Sequence, residues 1–161
     1  PAYGSGWNVL AMPNGQLFSG LNKYDSLFWE GTGKVYPMII GGFIVAKADL
    51  TKTLTAQLRQ LGLSSKESTD FLDFWLPKMP STPYVRVTWF GKSQMDQLAP
   101  LIIIPKPDTV IRIFMDFEGL ERPISIPPQR LGAPTRRGFT VVEWGGLLRT
   151  PADSNATRQV D

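Results

Sequence analysis

The chain has 161 residues, enough for one domain with a real core and too few for two comfortable ones. Its 17 basic and 14 acidic residues leave a net charge of +3 with no charge run, so neither a nucleic-acid stripe nor a polybasic membrane patch is indicated. With no His and no Cys, the chain cannot supply a Ser-His-Asp or Cys-His site, a thiolate zinc site, a haem ligand pair or a disulfide framework. Carboxylate chemistry, a Lys or Tyr base, and an oxygen-ligand Ca²⁺ or Mg²⁺ site are what this leaves. The 15 Gly and 14 Pro call for many turns and short elements, which favours β over α structure. No apolar run approaches the roughly 20 residues of a membrane span. The chain opens on Pro1 instead of Met, and we expect any export signal or anchor to lie upstream of it.

In chain order, Trp7 to Met12 alternates and runs into Pro13-Asn14-Gly15, which predicts a strand, a tight turn and a return strand from Gln16. Ser26 to Gly31 reads as a short aromatic strand ending on Glu30, and Gly41 to Val45 as another. Helical spacing appears between Asp49 and Trp75. Leu50, Leu54, Leu58 and Leu61 share a face, Gly62 stops the first helix, and Ser64 with Glu67 fits the capping box of a second. The second helix carries Phe71, Leu72, Trp75 and Leu76 to the core and ends at Pro77. Tyr84 to Phe90 alternates as a strand, whereas Gly91 to Pro100 reads as a polar loop.

The longest apolar stretch, Leu101 to Phe117, predicts a central β-hairpin. Leu101-Ile102-Ile103-Ile104 is its first strand, Pro105 to Asp108 its turn, and Val110 to Phe117 its second strand. Ile111, Ile113, Met115 and Phe117 then share the core face, and Val110, Arg112, Phe114 and Asp116 a partly covered one. Four prolines, Pro123, Pro127, Pro128 and Pro134, limit Ile124-Ser125-Ile126 to an edge strand at most. Phe139 to Gly146 predicts a last core strand that bends at Gly145-Gly146. The expected fold is mainly β (α+β): an antiparallel β-sandwich or barrel-like domain over residues 1–149. A two-helix hairpin is inserted at about 49–76, and a polar tail follows over 150–161.

Several strings, taken together, resemble blocks of a widespread, mostly bacterial, uncharacterised family. They are Gly6-Trp7 with Pro13-Asn14-Gly15, Leu27 to Gly31, Leu61-Gly62-Leu63 before Phe71 to Pro77, Pro107-Asp108-Thr109, and Gly138-Phe139-Thr140-Val141-Val142-Glu143-Trp144-Gly145-Gly146. The blocks keep that order in the family, nearly to Gly146, and the last is the most specific. Family members also carry an upstream Lys-Pro-Val-Ile-Tyr-Leu-Tyr-Pro segment, often behind an export signal, which this chain lacks. The resemblance therefore implies a missing first strand and an extracytoplasmic (periplasmic or secreted) setting. The family has no established activity, so the resemblance supplies no catalytic residues.

Among candidate sites, Glu30 and Glu143 each sit beside a Trp and a Gly at the end of an apolar strand. Two carboxylates can divide acid and base roles, as in glycosidases. The plainer reading is that both are structural acids, held by backbone N–H groups or an Arg, and it is the one we adopt. Asp108 and Asp116 offer oxygens to Ca²⁺ at a spacing that fits no known loop, so no metal is assigned, and Asp108 is expected to bond its own turn. The pair Arg136-Arg137 suits bidentate contact with an anion or a partner, or else a solvated turn. The five Trp suit a sugar-stacking platform only where they are exposed together, and their apolar surroundings favour the core.

The expected function is a non-enzymatic binding or structural module, an accessory subunit of a larger, membrane-associated assembly with a protein partner. The long Pro-rich 121–135 stretch and the polar tail fit segments ordered along a neighbour. We expect no cofactor, no nucleic-acid partner and no membrane span in this chain. The alternatives are a carboxylate-dependent glycan hydrolase using Glu30 and Glu143, and a protease-inhibitor-like module presenting the Pro105 to Thr109 loop.

Overall fold

The computed structural model describes residues 39–149, apart from the Leu98 side chain, together with the backbone of 8–11 and 17–20. The chain is α+β. Strands β1 (Asn8–Ala11) and β2 (Leu17–Gly20) pair antiparallel, in the order the Asn-Gly turn predicted. The turn itself, the strand expected at Ser26 to Gly31, and the 150–161 tail lie outside the described residues. A second sheet has four strands in the order β3-β4-β5-β6. They are β3 (Phe43–Ala46), β4 (Tyr84–Phe90), β5 (Thr109–Leu120) and β6 (Thr140–Arg149). Helices α1 (Leu50–Gln60) and α2 (Ser65–Trp75) follow β3, and a short third helix, α3 (Lys92–Leu98), links β4 towards β5.

The helical hairpin forms as its residues dictate. Leu54 and Leu58 of α1 and Phe71 and Trp75 of α2 are fully or almost fully buried. Ser64 Oγ accepts from the Glu67 amide and the Glu67 carboxylate accepts from the Ser64 amide, closing the capping box. Gly62 takes φ +91, where only glycine is comfortable. This lets Leu63 N–H reach Leu58 O and Gly62 N–H reach Arg59 O at 3.0 Å each, the pattern of a Schellman motif.

Alternation sorts the sheet into two faces. Val85, Val87 and Trp89 of β4, Ile111, Ile113, Met115 and Phe117 of β5, and Val142 of β6 pack with the helices. Phe71 lies between Trp75, Trp89 and Trp144, with ring centroids 5.2–6.3 Å apart, and Trp75 meets Phe117 edge-on at 5.6 Å. All three described tryptophans thus join this cluster. A Cβ on Gly146 would meet the Trp75 indole at 2.7 Å, so this glycine leaves the space the ring fills.

Four expectations need correction. The sheet is mixed and is not closed, because β5 and β6 run parallel and β3 and β6 form its edges. The Leu101–Phe117 hairpin does not form. Its first half is bracketed by Pro100, Pro105 and Pro107, the 101–108 segment is a loop, and β5 pairs instead with β4 and β6. Helices are not confined to 49–76, since the stretch read as a polar loop holds α3, whose Gln94 side chain accepts from the Gly91 amide. Finally, β6 runs straight through Gly145-Gly146 without a bend, because its ladder with β5 continues to Arg149. Ile124-Ser125-Ile126, expected as an edge strand at most, is not one. Its neighbourhood is tied to the sheet by Gly42 N–H to Pro127 O and by Gln129, whose amide brackets the Trp89 main chain.

Candidate functional site

The face of the sheet away from α1 and α2 carries buried charge. Strand register alone brings it together, because Arg86 of β4 lies opposite Glu118 of β5, which lies opposite Arg149 of β6. One row on, Asp116 is fully buried and accepts from Arg86 Nη2 at 2.7 Å and from Arg149 Nε at 2.8–2.9 Å. Arg86 also donates to Thr88 Oγ1 at 2.9 Å, and Thr88 in turn donates to Gly41 O. A lone carboxylate here would be very costly; two guanidinium groups make it tolerable.

Further along the same face, Arg112 and Glu143 are register partners on the parallel strands β5 and β6. Arg112 Nε donates to Glu143 Oε2, and Arg112 Nη1 donates to Asp96 Oδ1 of α3 at 2.9 Å. Asp96 is bound as well by Lys92, one helical turn earlier. Its carboxyl is held below the usual carboxylate range chiefly by the hydrogen bond from Lys92; burial opposes this, and the hydrogen bond from Arg112 and the charges of both cations restore the balance downward. The remaining nitrogen of Arg112, Nη2, is buried, and among the described residues it has no hydrogen-bond partner.

Arg112 reaches a cleft of about 450 Å³ between α3 and the 101–108 loop, whose walls include Lys92, Asp96, Ile102, Lys106 and Asp108. The loop turns two of its three isoleucines outward, with Ile102 88% and Ile104 86% exposed. The far end of the loop is anchored. Asp108 Oδ2 accepts from Phe139 N–H at 2.7 Å, while Thr109 Oγ1 and the Arg137 main chain bond each other at 2.8–2.9 Å. Gly138, at φ +50, lies so close to Asp108 that a Cβ there would run into the carboxylate.

The residues singled out from sequence fall as follows. Glu30 lies outside the described residues. Glu143 sits mid-strand on the charged face, where Arg112 is a partner, one of the two kinds of donor expected for it. Asp108 bonds Phe139 across the chain and not its own turn, and Asp116 lies between two arginines elsewhere on the face, so the two aspartates do not converge on a metal. Among the described residues, no group of three or more His, Cys, Asp or Glu side chains is placed to hold an ion, and no helix is long and apolar enough to cross a membrane. Arg136, though exposed, is engaged within the chain, donating to Gly62 O at 2.8–3.0 Å and forming a two-pronged ion pair with Glu67. Arg137 is engaged with Thr109 through its main chain, and its side chain is exposed.

Sequence reasoning missed Arg112, Asp96 and Lys92. Lys92 and Asp96 stand four apart, the spacing of a helical ion pair, and that was the one signal available. Arg112 was placed on the right face, but its neighbours come from distant strands. Compared with family models, curated proteins and solved structures, the chain matches none.

Proposed function

We propose that this protein is a non-enzymatic binding module, an accessory subunit that docks on a partner protein through the 101–107 loop. The observation that carries this reading is the exposure of Ile102 and Ile104, two residues apart on a proline-bracketed loop. Two large aliphatic side chains held in water on one loop are what an apolar socket on a partner would take up. Glu143 supports the same reading, because it is buried and paired with the buried Arg112, which leaves its carboxylate poorly placed to meet a substrate. A sandwich-like second layer belongs to the proposal, since a face carrying so much buried charge needs a cover. So does the extracytoplasmic setting, which rests on the family resemblance. The protease-inhibitor-like alternative draws on the same exposed loop, whereas the glycan hydrolase would need Glu30 beside a Glu143 freed from Arg112.

The test compares the wild type with an Ile102→Ser/Ile104→Ser double variant by affinity capture from the native source, after cross-linking. We expect one stoichiometric partner that the variant loses while its melting temperature is unchanged. Capture equal in both would sink the docking role of the loop. Inhibition of a protease panel by the wild type alone would favour the inhibitor reading.

A further inference from the structure

We infer that the cleft between the outer edge of β3 and the 124–128 segment takes up an extended segment of a partner protein, one that carries a Lys or Arg beside aliphatic residues. This is a second docking surface, and it does not rest on the role of the 101–107 loop.

Register decides which main-chain groups of β3 are spare. In an antiparallel ladder, hydrogen-bonded and non-hydrogen-bonded pairs alternate. Lys47 N–H donates to Pro83 O at 2.9 Å, so Val45 and Phe43 also bond to β4, while Ile44 and Ala46 turn their N–H groups outward. Gly42, the next residue of the outward set, donates to Pro127 O at 2.8 Å. The 124–128 segment thus meets β3 at that point as a neighbouring strand would, and then parts from it. Among the described residues no main-chain bond is made to Ile44 from this side, and a cleft of about 490 Å³ opens between β3 and Ile124-Ser125-Ile126. Pro127 has no N–H to return to Gly42, and Pro123 none further along, so the segment is a poor strand for this edge. An unpaired edge is a template for an extended chain, whose own N–H and C=O groups supply what Ile44 lacks. Ile126 and Ile124, the latter 48% exposed, offer an aliphatic wall to its side chains. The charge of the cleft is negative. Asp49 is the one charged residue that lines it, is exposed, and makes no side-chain cap bond to α1. A Lys or Arg on the incoming strand complements that carboxylate, and an acid there is repelled.

The experiment follows the backbone amides of the ¹⁵N-labelled full chain by NMR during titration with three peptides. They are acetyl-Val-Lys-Val-Thr-amide, a twin with Glu in place of Lys, and a twin N-methylated at every residue, which keeps the side chains and loses the N–H groups. The expected result is a saturable shift at Ile44 and Ala46 with the Lys peptide, slower hydrogen exchange of the Ile44 amide in the complex, weaker binding of the Glu twin and no saturable shift with the methylated one. Asp49→Asn should weaken the Lys peptide roughly twofold to fivefold, the size of one exposed ion pair. That variant keeps its fold, because asparagine serves as well as aspartate at a helix N-cap. No saturable shift with the Lys peptide, equal binding of either twin, or unchanged binding by Asp49→Asn would each overturn the assignment. So would an Ile44 amide already slow to exchange in the free protein, which would mean that the 124–128 segment closes this edge itself. Neither Ile102 nor Ile104 lines this cleft, so the isoleucine double variant and the peptide titration fail separately.

Discussion

At the scale of single residues, burial decides what a charge is worth. Asp116 has two guanidinium partners and no exposure, so Asp116→Asn removes the buried negative charge that Arg86 and Arg149 share and should cost about 3–5 kcal/mol. Chemical denaturation checks this, with Asp70→Asn as the control. Asp70 pairs with Lys66 on the surface, and its loss should leave the unfolding midpoint in place. Ile113, 2% exposed against the helices, should lose about 2–5 kcal/mol as Ile113→Ala, and a loss under about 1 kcal/mol would mean that the site collapses without a cavity. The alternation of Ile111, Ile113, Met115 and Phe117 made this face legible in the sequence. Which cation Glu143 takes was not legible, because Arg112 is 31 residues away and only register joins them.

At the scale of elements, the start of α2 combines a capping box with a long-range anchor. Burial tends to raise the Glu67 pKa, but hydrogen bonds from Arg136 and Ser64 outweigh it and hold the carboxyl below its ordinary 4.5. A folded-state pKa below the unfolded one gives stability that is present above about pH 4.5 and is lost as pH falls through the folded value. Glu67→Gln should therefore lower stability by roughly 0.5–1 kcal/mol at neutral pH, a modest figure because the carboxylate is partly solvated. The gap to wild type should close on acidification, and thermal melts at pH 7 and pH 3.5 check the sign. The helix ends were legible because capping is local, whereas α3 was missed because seven polar-rich residues give too short a pattern to read.

The Pro-rich 121–135 segment is held differently, by the Gly42 N–H to Pro127 O bond and by one side chain imitating a strand. Gln129 accepts from Trp89 N–H and donates to Trp89 O, at 2.8 and 2.9 Å. Gln129→Ala should expose the Trp89 amide, seen as faster hydrogen exchange there with little change in global stability. Exchange as slow as in the wild type would mean that another acceptor takes over.

At the scale of the whole molecule, one aromatic cluster joins the helical hairpin to three strands of the sheet, through Phe71, Trp75, Trp89, Phe117 and Trp144. Helices and sheet should therefore unfold together. Tryptophan fluorescence and far-ultraviolet circular dichroism should trace a single coincident transition in denaturant, and two separated transitions would show that the hairpin is an independent unit. The sequence by itself determined whatever depends on near neighbours along the chain. That covers the helix caps and the Gly62 stop, the two-residue period of β4 and β5, and the exclusion of thiol and imidazole chemistry. Tertiary structure alone decided which strands adjoin, and so turned an expected central hairpin into an exposed loop above a cleft. It also decided that scattered arginines and acids would meet on one buried face. The reason is physical: periodicity is written in local sterics and hydrophobicity, whereas strand pairing depends on contacts between segments that nothing along the chain marks as partners.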